Sequence, residues 1–440
     1  MNKKEWISYA LNNGFDSFEI YQKTSAEKTV NWYEGNIESY VESRVCGTAF
    51  RGETGGKMVY AATEAPDGEK MEDLVGEMKA QAEAISSEDV VSLRQPQEVS
   101  VKETPAPVPV SVETVKSLLS EAEKKILGFD PKIFMVPFLE YVEESEERSI
   151  VNSNGIDLRE GNTVSVIAAG AAAREGGNVV NGYHYARVQD PQDFDCDAFV
   201  RKLCTDVLSK LNAKTIKSGT YRVIFEKEAM TALFSAFSGM FSAESVQKGI
   251  SPLVGRTGQK LFADCITVID DPANPEAAAA LSFDDEGCPT KAKKLVSSGV
   301  LEQLLYNTAS ALKDGTESTG NGFKGSYASK VGIRMHNCCI EPKDKTLEEL
   351  MEVMQEGYVI TSLQGLHAGL DPVTGDFSLQ SAGYYVKDGK RAFDVKLVTA
   401  AGNFLQMLKN AEYVGSDLEW GFRTVACPSI LFSECAVSGE

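Results

Sequence analysis

Histidine is scarce in this 440-residue chain. There are three, His184, His336 and His367, and no two stand at the short spacing that sets a pair of metal ligands on one helix face. No run of 18 or more apolar residues occurs, which excludes an ordinary membrane-spanning helix. The opening Met1-Asn2-Lys3-Lys4-Glu5-Trp6 leads into a short amphipathic segment rather than the apolar core of a signal peptide. The expectation is a cytoplasmic protein with no membrane contact. The nine cysteines are an odd number without a CxxC pair; apart from Cys338-Cys339 they stand singly, as reduced thiols packed like small apolar residues. Positive charge is also in deficit. Sixty-four acids against 44 Lys and Arg give a formal charge of −20, which repels a polyanion, so nucleic acid is not expected as a direct ligand.

What is present is the composition of a globular protein, 42% hydrophobic and 25% charged, at a length that one core rarely fills. Residues 3–13 pattern as a helix stopped by Gly14; strands follow at 18–21, 28–33, 37–48 and 58–62, then a helix at 69–85 through Met71, Leu74, Val75, Met78 and Ala82. Residues 1–90 therefore read as one α+β unit. Pro96, Pro105, Pro107 and Pro109 mark 91–110 as an extended linker. Ser111 can cap the next helix, whose stripe is Val112, Val115, Leu119, Ala122 and Ile126. Residues 111–215 then repeat the order of the first unit: an alternating stretch at 134–141, a turn at Asn152-Ser153-Asn154-Gly155, strands at 157–174 and 183–188, and a helix at 196–211 with Phe199, Leu203, Val207 and Leu211 on one face. A diverged internal duplication is the reading. Residues 216–440 form the larger, strand-rich region, with a helix at 227–242, a hairpin of 379–386 against 391–398 turning at Asp388-Gly389, a helix at 399–410 and a last strand at 429–437.

One long ordered string stands out, Gly365-Leu366-His367-Ala368-Gly369-Leu370-Asp371-Pro372-Val373-Thr374-Gly375-Asp376-Phe377-Ser378, followed by Gly383-Tyr384, Asp417-Leu418-Glu419-Trp420 and Pro428-Ser429-Ile430-Leu431. It resembles the signature of the TldD/PmbA family, known also as modulators of DNA gyrase, and specifically its TldE/PmbA type. The resemblance spans nearly the whole chain. It implies an α+β fold with a strand-rich C-terminal domain, pairing as dimers, and peptidase action on peptide precursors and loosely folded proteins by a TldD-type subunit joined to a TldE-type subunit. In the TldD-type subunit a helix carries a His-Glu…His motif that, with a later cysteine, resembles a catalytic zinc site. The equivalent helix here includes Ala232 to Phe241, with Phe234 and Gly239 at the histidines, Ser235 at the glutamate and Val414 near the third ligand.

The resemblance thus implies a subunit without catalytic or metal-ligating residues of its own. Its cofactor, zinc, is expected in a TldD-type partner, the chain pairing with itself when alone and completing a groove for peptide substrate. The alternative is a regulatory protein that modulates a gyrase or a toxin–antitoxin system by contact alone. Candidates for a groove facing substrate or partner are His367, Gly369, Asp371, Asp376 and Ser378 of the signature loop, with Gly320 and Gly322. The bland alternative for the loop is that its glycines and aspartates build turns and its imidazole ties the loop down. Gly320-Asn321-Gly322-Phe323-Lys324-Gly325 formally fits GxGxxG, but the preceding residues 313–319 are polar, which suits a strand connection better than a dinucleotide site. The run Glu140, Glu143, Glu144, Glu146 and Glu147 reads as a solvated face. Asp270-Asp271 and Asp284-Asp285-Glu286 offer clustered carboxylates for a hard cation, or else turns beside Pro272 and Gly287.

Overall fold

In the computed structural model, which describes residues 1–86, 92–100 and 105–440, a similar run of elements occurs twice in the first half of the chain, the second time with one short strand added. Helix α1 (Lys3–Asn12), strands β1 (Ser17–Tyr33), β2 (Asn36–Thr54) and β3 (Lys57–Thr63) and helix α2 (Met71–Ala84) make the first pass. Helix α3 (Val112–Phe129), a short β4 (Ile133–Met135), strands β5 (Leu139–Asn152), β6 (Asp157–Glu175) and β7 (Asn178–Arg187) and helix α4 (Cys196–Ser209) make the second. The helix ends follow their capping chemistry: Ser111 Oγ accepts from Thr114 N at α3, and Asp195 Oδ1 from Ala198 N at α4. Both passes feed a single sheet. Its order is β3-β2-β1-β5-β6-β4, with β7 on the far part of β6, so that β1 and β5 meet antiparallel at its centre.

One expectation changes here. The segments 18–21 and 28–33 are one continuous strand, because the polar residues between them lie in the ladder, where Lys28 is opposite Glu42 and Glu143. The acidic run from Glu140 to Glu147 lies in the first part of the central strand β5, where Glu144, Glu146 and Glu147 are exposed, as expected of a solvated face, and Lys23 reaches Glu146 at 2.5 Å across the sheet.

The connector expected at 91–110 lies in part outside the described residues. Its described parts are held down by amide side chains. Asn152 and Asn154 donate to Arg94 O at 3.1 and 3.2 Å, and Gln189 donates to Ala106 O at 2.9 Å.

The C-terminal region begins with β8 (Gly219–Phe225) and α5 (Lys227–Phe237), the latter tightening into a 3-10 turn at Ser238–Phe241. Strands β9 (Val268–Asp270), β10 (Lys293–Ser297) and β11 (Val300–Leu301), a hairpin of β12 (Gly322–Lys324) and β13 (Val331–Ile333), and β14 (Cys338–Ile340) come next. Then follow β15 (Gly357–Gln364), β16 (Asp376–Lys387), β17 (Lys390–Asn403), β18 (Ala411–Val414), β19 (Val425–Ala426) and β20 (Ile430–Ser438). The main sheet runs β17-β16-β15-β8-β20-β18. Because β17 also pairs with β20, it curls back on itself and shields its edges. A smaller sheet, β11-β10-β9-β14-β19, lies beside it. The hairpin of β16 and β17 turns at Asp388 and Gly389, both at positive φ (51° and 72°), as a primed two-residue turn requires. β17 is longer than its hydrophobic pattern suggested, so the helix expected at 399–410 is confined to Phe404–Lys409.

Candidate functional site

The candidate residues fall in three places: the helix α5, the signature loop, and the junction between the N-terminal sheet and the C-terminal region. Along α5 and the turn after it, Leu233, Phe234, Phe237, Met240 and Phe241 point into the core. Phe237 stacks on Phe404 at 4.8 Å, and Phe234 meets Phe404 edge-on at 6.0 Å and Phe241 at 6.2 Å. The position assigned to the first histidine is therefore occupied by a core phenylalanine. Ser235 is partly exposed and Gly239 borders open space.

A zinc site needs imidazole, thiolate or carboxylate donors converging on one point. Among the described residues no group of three or more His, Cys, Asp or Glu is placed to do so. The thiols nearest the region are buried: burial pushes the Cys338 and Cys427 thiols well above the usual range, and Cys339 up to about 12, so all three are neutral.

The signature loop joins β15 to β16. Asp371 Oδ1 accepts from Val373 N at 2.9 Å and Thr374 N at 3.2 Å, an aspartate turn, while Asp371 N and Gly375 N close the loop onto Asp376 O and Asp371 O at 2.8 Å each. Asp376 accepts from Asn403 Nδ2 and Thr374 Oγ1, both at 2.9 Å, and these hydrogen bonds hold its carboxyl below the usual carboxylate range. Gly369 lies under the backbone of β16: a Cβ there would stand 2.4 Å from Ser378 O. Turn building thus accounts for Gly369, Asp371 and Asp376. His367 and Ser378 are exposed to solvent.

Gly320 and Gly322 belong to a different setting, a buried polar junction. Arg51 on β2 pairs with Glu19, directly opposite on β1, at 2.6 Å, and reaches across to Glu286 at 3.2 Å. Arg148 on β5 pairs with Glu160, directly opposite on β6, and reaches across to Asp285 at 2.7 Å. Two cross-strand ion pairs of the N-terminal sheet thus clasp the acidic segment 284–286 of the C-terminal region. The remaining acceptors of that segment are used by main chain. Asp284 accepts from Glu286 N, Cys288 N and Gly322 N, Asp285 from Lys324 N, and Glu286 from Thr308 N, at 2.7–2.9 Å. Gly322 has room for no side chain, since a Cβ would stand 2.7 Å from Glu286 Oε2. Next to it Asn321 and Lys293 both hold the fully buried Asp270, at 2.8 and 3.0 Å.

Burial dominates the protonation of this junction. It pushes Glu19 up; it raises Asp284 to about 7, helped by the charge of Glu286, and lowers Lys324 to about 8, helped by Arg51. His336, beside Phe323, is pushed down to about 4 by burial and by Arg148. The clusters offered above for a hard cation, Asp270 and Asp284-Asp285-Glu286, already have lysine, arginine and amide donors on them. Gly320-Asn321-Gly322 opens into the short strand β12 rather than a helix, so the formal GxGxxG lacks its dinucleotide setting. The signature loop and the Gly320–Gly322 turn are anchored to separate sets of neighbours.

Residues 218–439 match the family of the PmbA/TldA metallopeptidase C-terminal domain, and residues 105–211 that of its central domain. The metalloprotease PmbA of Escherichia coli O157:H7 is 28% identical over 335 residues, covering 76% of this chain and 72% of the relative. Among solved structures, TldE from Thermococcus kodakarensis superimposes with a TM-score of 0.90 at 25% identity, over 99% of this chain and all of that one (100%). A Thermotoga maritima protein described as a modulator of a DNA gyrase does so with a TM-score of 0.89 at 29% identity, over 99% of both chains.

Proposed function

The chain belongs to the PmbA/TldD metallopeptidase family, and from that membership we propose that it is the non-catalytic subunit of a peptidase whose zinc is held by a TldD-type partner. One observation carries the reading: the helix that the resemblance aligns with the partner type's metal motif turns Phe234 and Phe237 into an aromatic core and carries no His, Cys, Asp or Glu from Ala232 to Phe241. Such a subunit contributes by holding an extended peptide against the partner's metal. Positioning lowers the entropic part of a barrier without chemistry of its own.

On this reading the exposed His367 and Ser378 are the parts of the signature loop free to meet peptide or partner, because Gly369, Asp371 and Asp376 are engaged in shaping it. Recovery of the tagged chain from its native cell, with metal analysis of the complex, tests the proposal. A co-purified family member and about one zinc per pair are expected. Stoichiometric zinc on this chain without a partner would overturn the reading.

A further inference from the structure

Between the connector and the C-terminal region lies a recess of about 320 Å³, lined by Arg94 and Gln97 on one side and by residues of 288–293, 303–306 and 316–319 on the other. Its charge is opposite to that of the molecule. In a chain of formal charge −20, the lining carries Arg94, Lys291 and Lys293 against one acid, Glu317, which stands exposed.

Lys293 is already occupied by Asp270, at 3.0 Å, and by Asn321, at 2.9 Å. Arg94 and Lys291 have no ion pair among the described residues. Arg94 is held from behind, its carbonyl accepting from Asn152 and Asn154, while its Nη2 donates to Gln97 at 2.9 Å and its Nε is buried with no partner. A guanidinium on an anchored backbone, tethered through Nη2 and left with an unused buried N–H, offers an oxyanion a charged donor. Burial keeps the neighbouring Cys288 thiol neutral, raising it to about 11, so no thiolate competes. Pro289 and Leu304 supply apolar wall.

We infer that this recess receives the C-terminal carboxylate of an extended peptide, bound by Arg94 with Lys291 at its mouth. The choice of carboxylate rests on charge and shape. Two unneutralised cations offset at the rim by Glu317 match a monoanion better than a dianion, and the volume suits a chain end with its last side chain rather than a bare ion. The peptide as ligand class rests on the subunit reading above; the anion site itself does not.

The test is calorimetric binding by the full chain at low ionic strength, using an N-acetylated tetrapeptide with a free C-terminus, the same peptide as its C-terminal amide, and inorganic phosphate. The acid is expected to bind roughly tenfold or more tightly than the amide, as for loss of one charged hydrogen-bonding partner. Arg94→Gln is expected to bring the ratio close to one and Arg94→Lys to keep part of it. Both variants should fold, because the bonds that anchor residue 94 are made by its backbone carbonyl. Equal binding of acid and amide, or a preference surviving in Arg94→Gln, overturns the inference. So does phosphate binding more tightly than the acid, which would make the recess a phosphate site. The two readings fail separately: acid preference without any zinc-bearing partner sinks only the subunit reading, and a functional complex whose chain binds acid and amide alike sinks only this one.

Discussion

Arg148 on the central strand of the N-terminal sheet donates to Asp285 of the C-terminal region at 2.7 Å, across 137 residues of chain, with 4% and 7% of the two side chains exposed. A buried pair of this kind adds little over an apolar pair of similar volume, but losing one partner strands the other. Arg148→Met and Asp285→Asn are each expected to lower unfolding stability by about 3–5 kcal/mol, with the double variant much less than additive. Urea unfolding of the four proteins checks this. Strict additivity would mean that the pair does not couple the two regions.

The junction also carries a pH dependence whose sign follows from His336. Its folded pKa, about 4, is below that of an ordinary imidazole, so the unfolded chain takes up the proton first as pH falls. The stability tied to the neutral ring is intact above about 6.5 and is lost progressively down to about 4. Asp284, raised to about 7, works the other way, because its protonation favours the fold as pH falls through 7. Comparing wild type with His336→Phe isolates the first effect. Relative to wild type the variant should gain roughly 1–2 kcal/mol between pH 7 and 4, less than the full shift because the ring retains some solvent contact. A constant difference across that range would show that His336 titrates normally.

The signature loop separates shape from contact. His367→Ala should leave the thermal midpoint unchanged, whereas Asp376→Ala, which loses Asn403 and Thr374, and Gly369→Ala, whose new Cβ meets Ser378 O, should lower it. Asp376 has a depressed carboxyl, so its contribution is present above the ordinary carboxylate range and lost as pH falls below it. Differential scanning calorimetry at neutral and acid pH decides the matter. A midpoint drop for His367→Ala would mean that the imidazole ties the loop down after all.

Local signals were legible in the sequence, and long-range partnerships were not. The Asp388-Gly389 hairpin, the Ser111 cap and the buried stripe of α3 follow from turn chemistry and helical period. The PmbA/TldD signature likewise named the family. By contrast, Asp284-Asp285-Glu286 looked like a cation cluster or a turn because the arginines that answer it, Arg51 and Arg148, stand 235 and 137 residues away. The only local hint was cross-strand: Glu19 with Arg51 and Arg148 with Glu160 become pairs once the register is known. The central strand β5 was obscured for a related reason, since five glutamates within 140–147, three of them exposed, mask a strand whose neighbours come from distant parts of the chain.

The central claim is that this chain supports peptide cleavage without performing it. Its most direct test is a fluorogenic peptide assay of the purified chain, of a TldD-type partner, and of the two mixed. Cleavage is expected from the mixture alone, abolished by chelator and weakened by His367→Ala with zinc content unchanged. Robust chelator-insensitive cleavage by this chain without a partner would contradict the claim and require a catalytic site of its own.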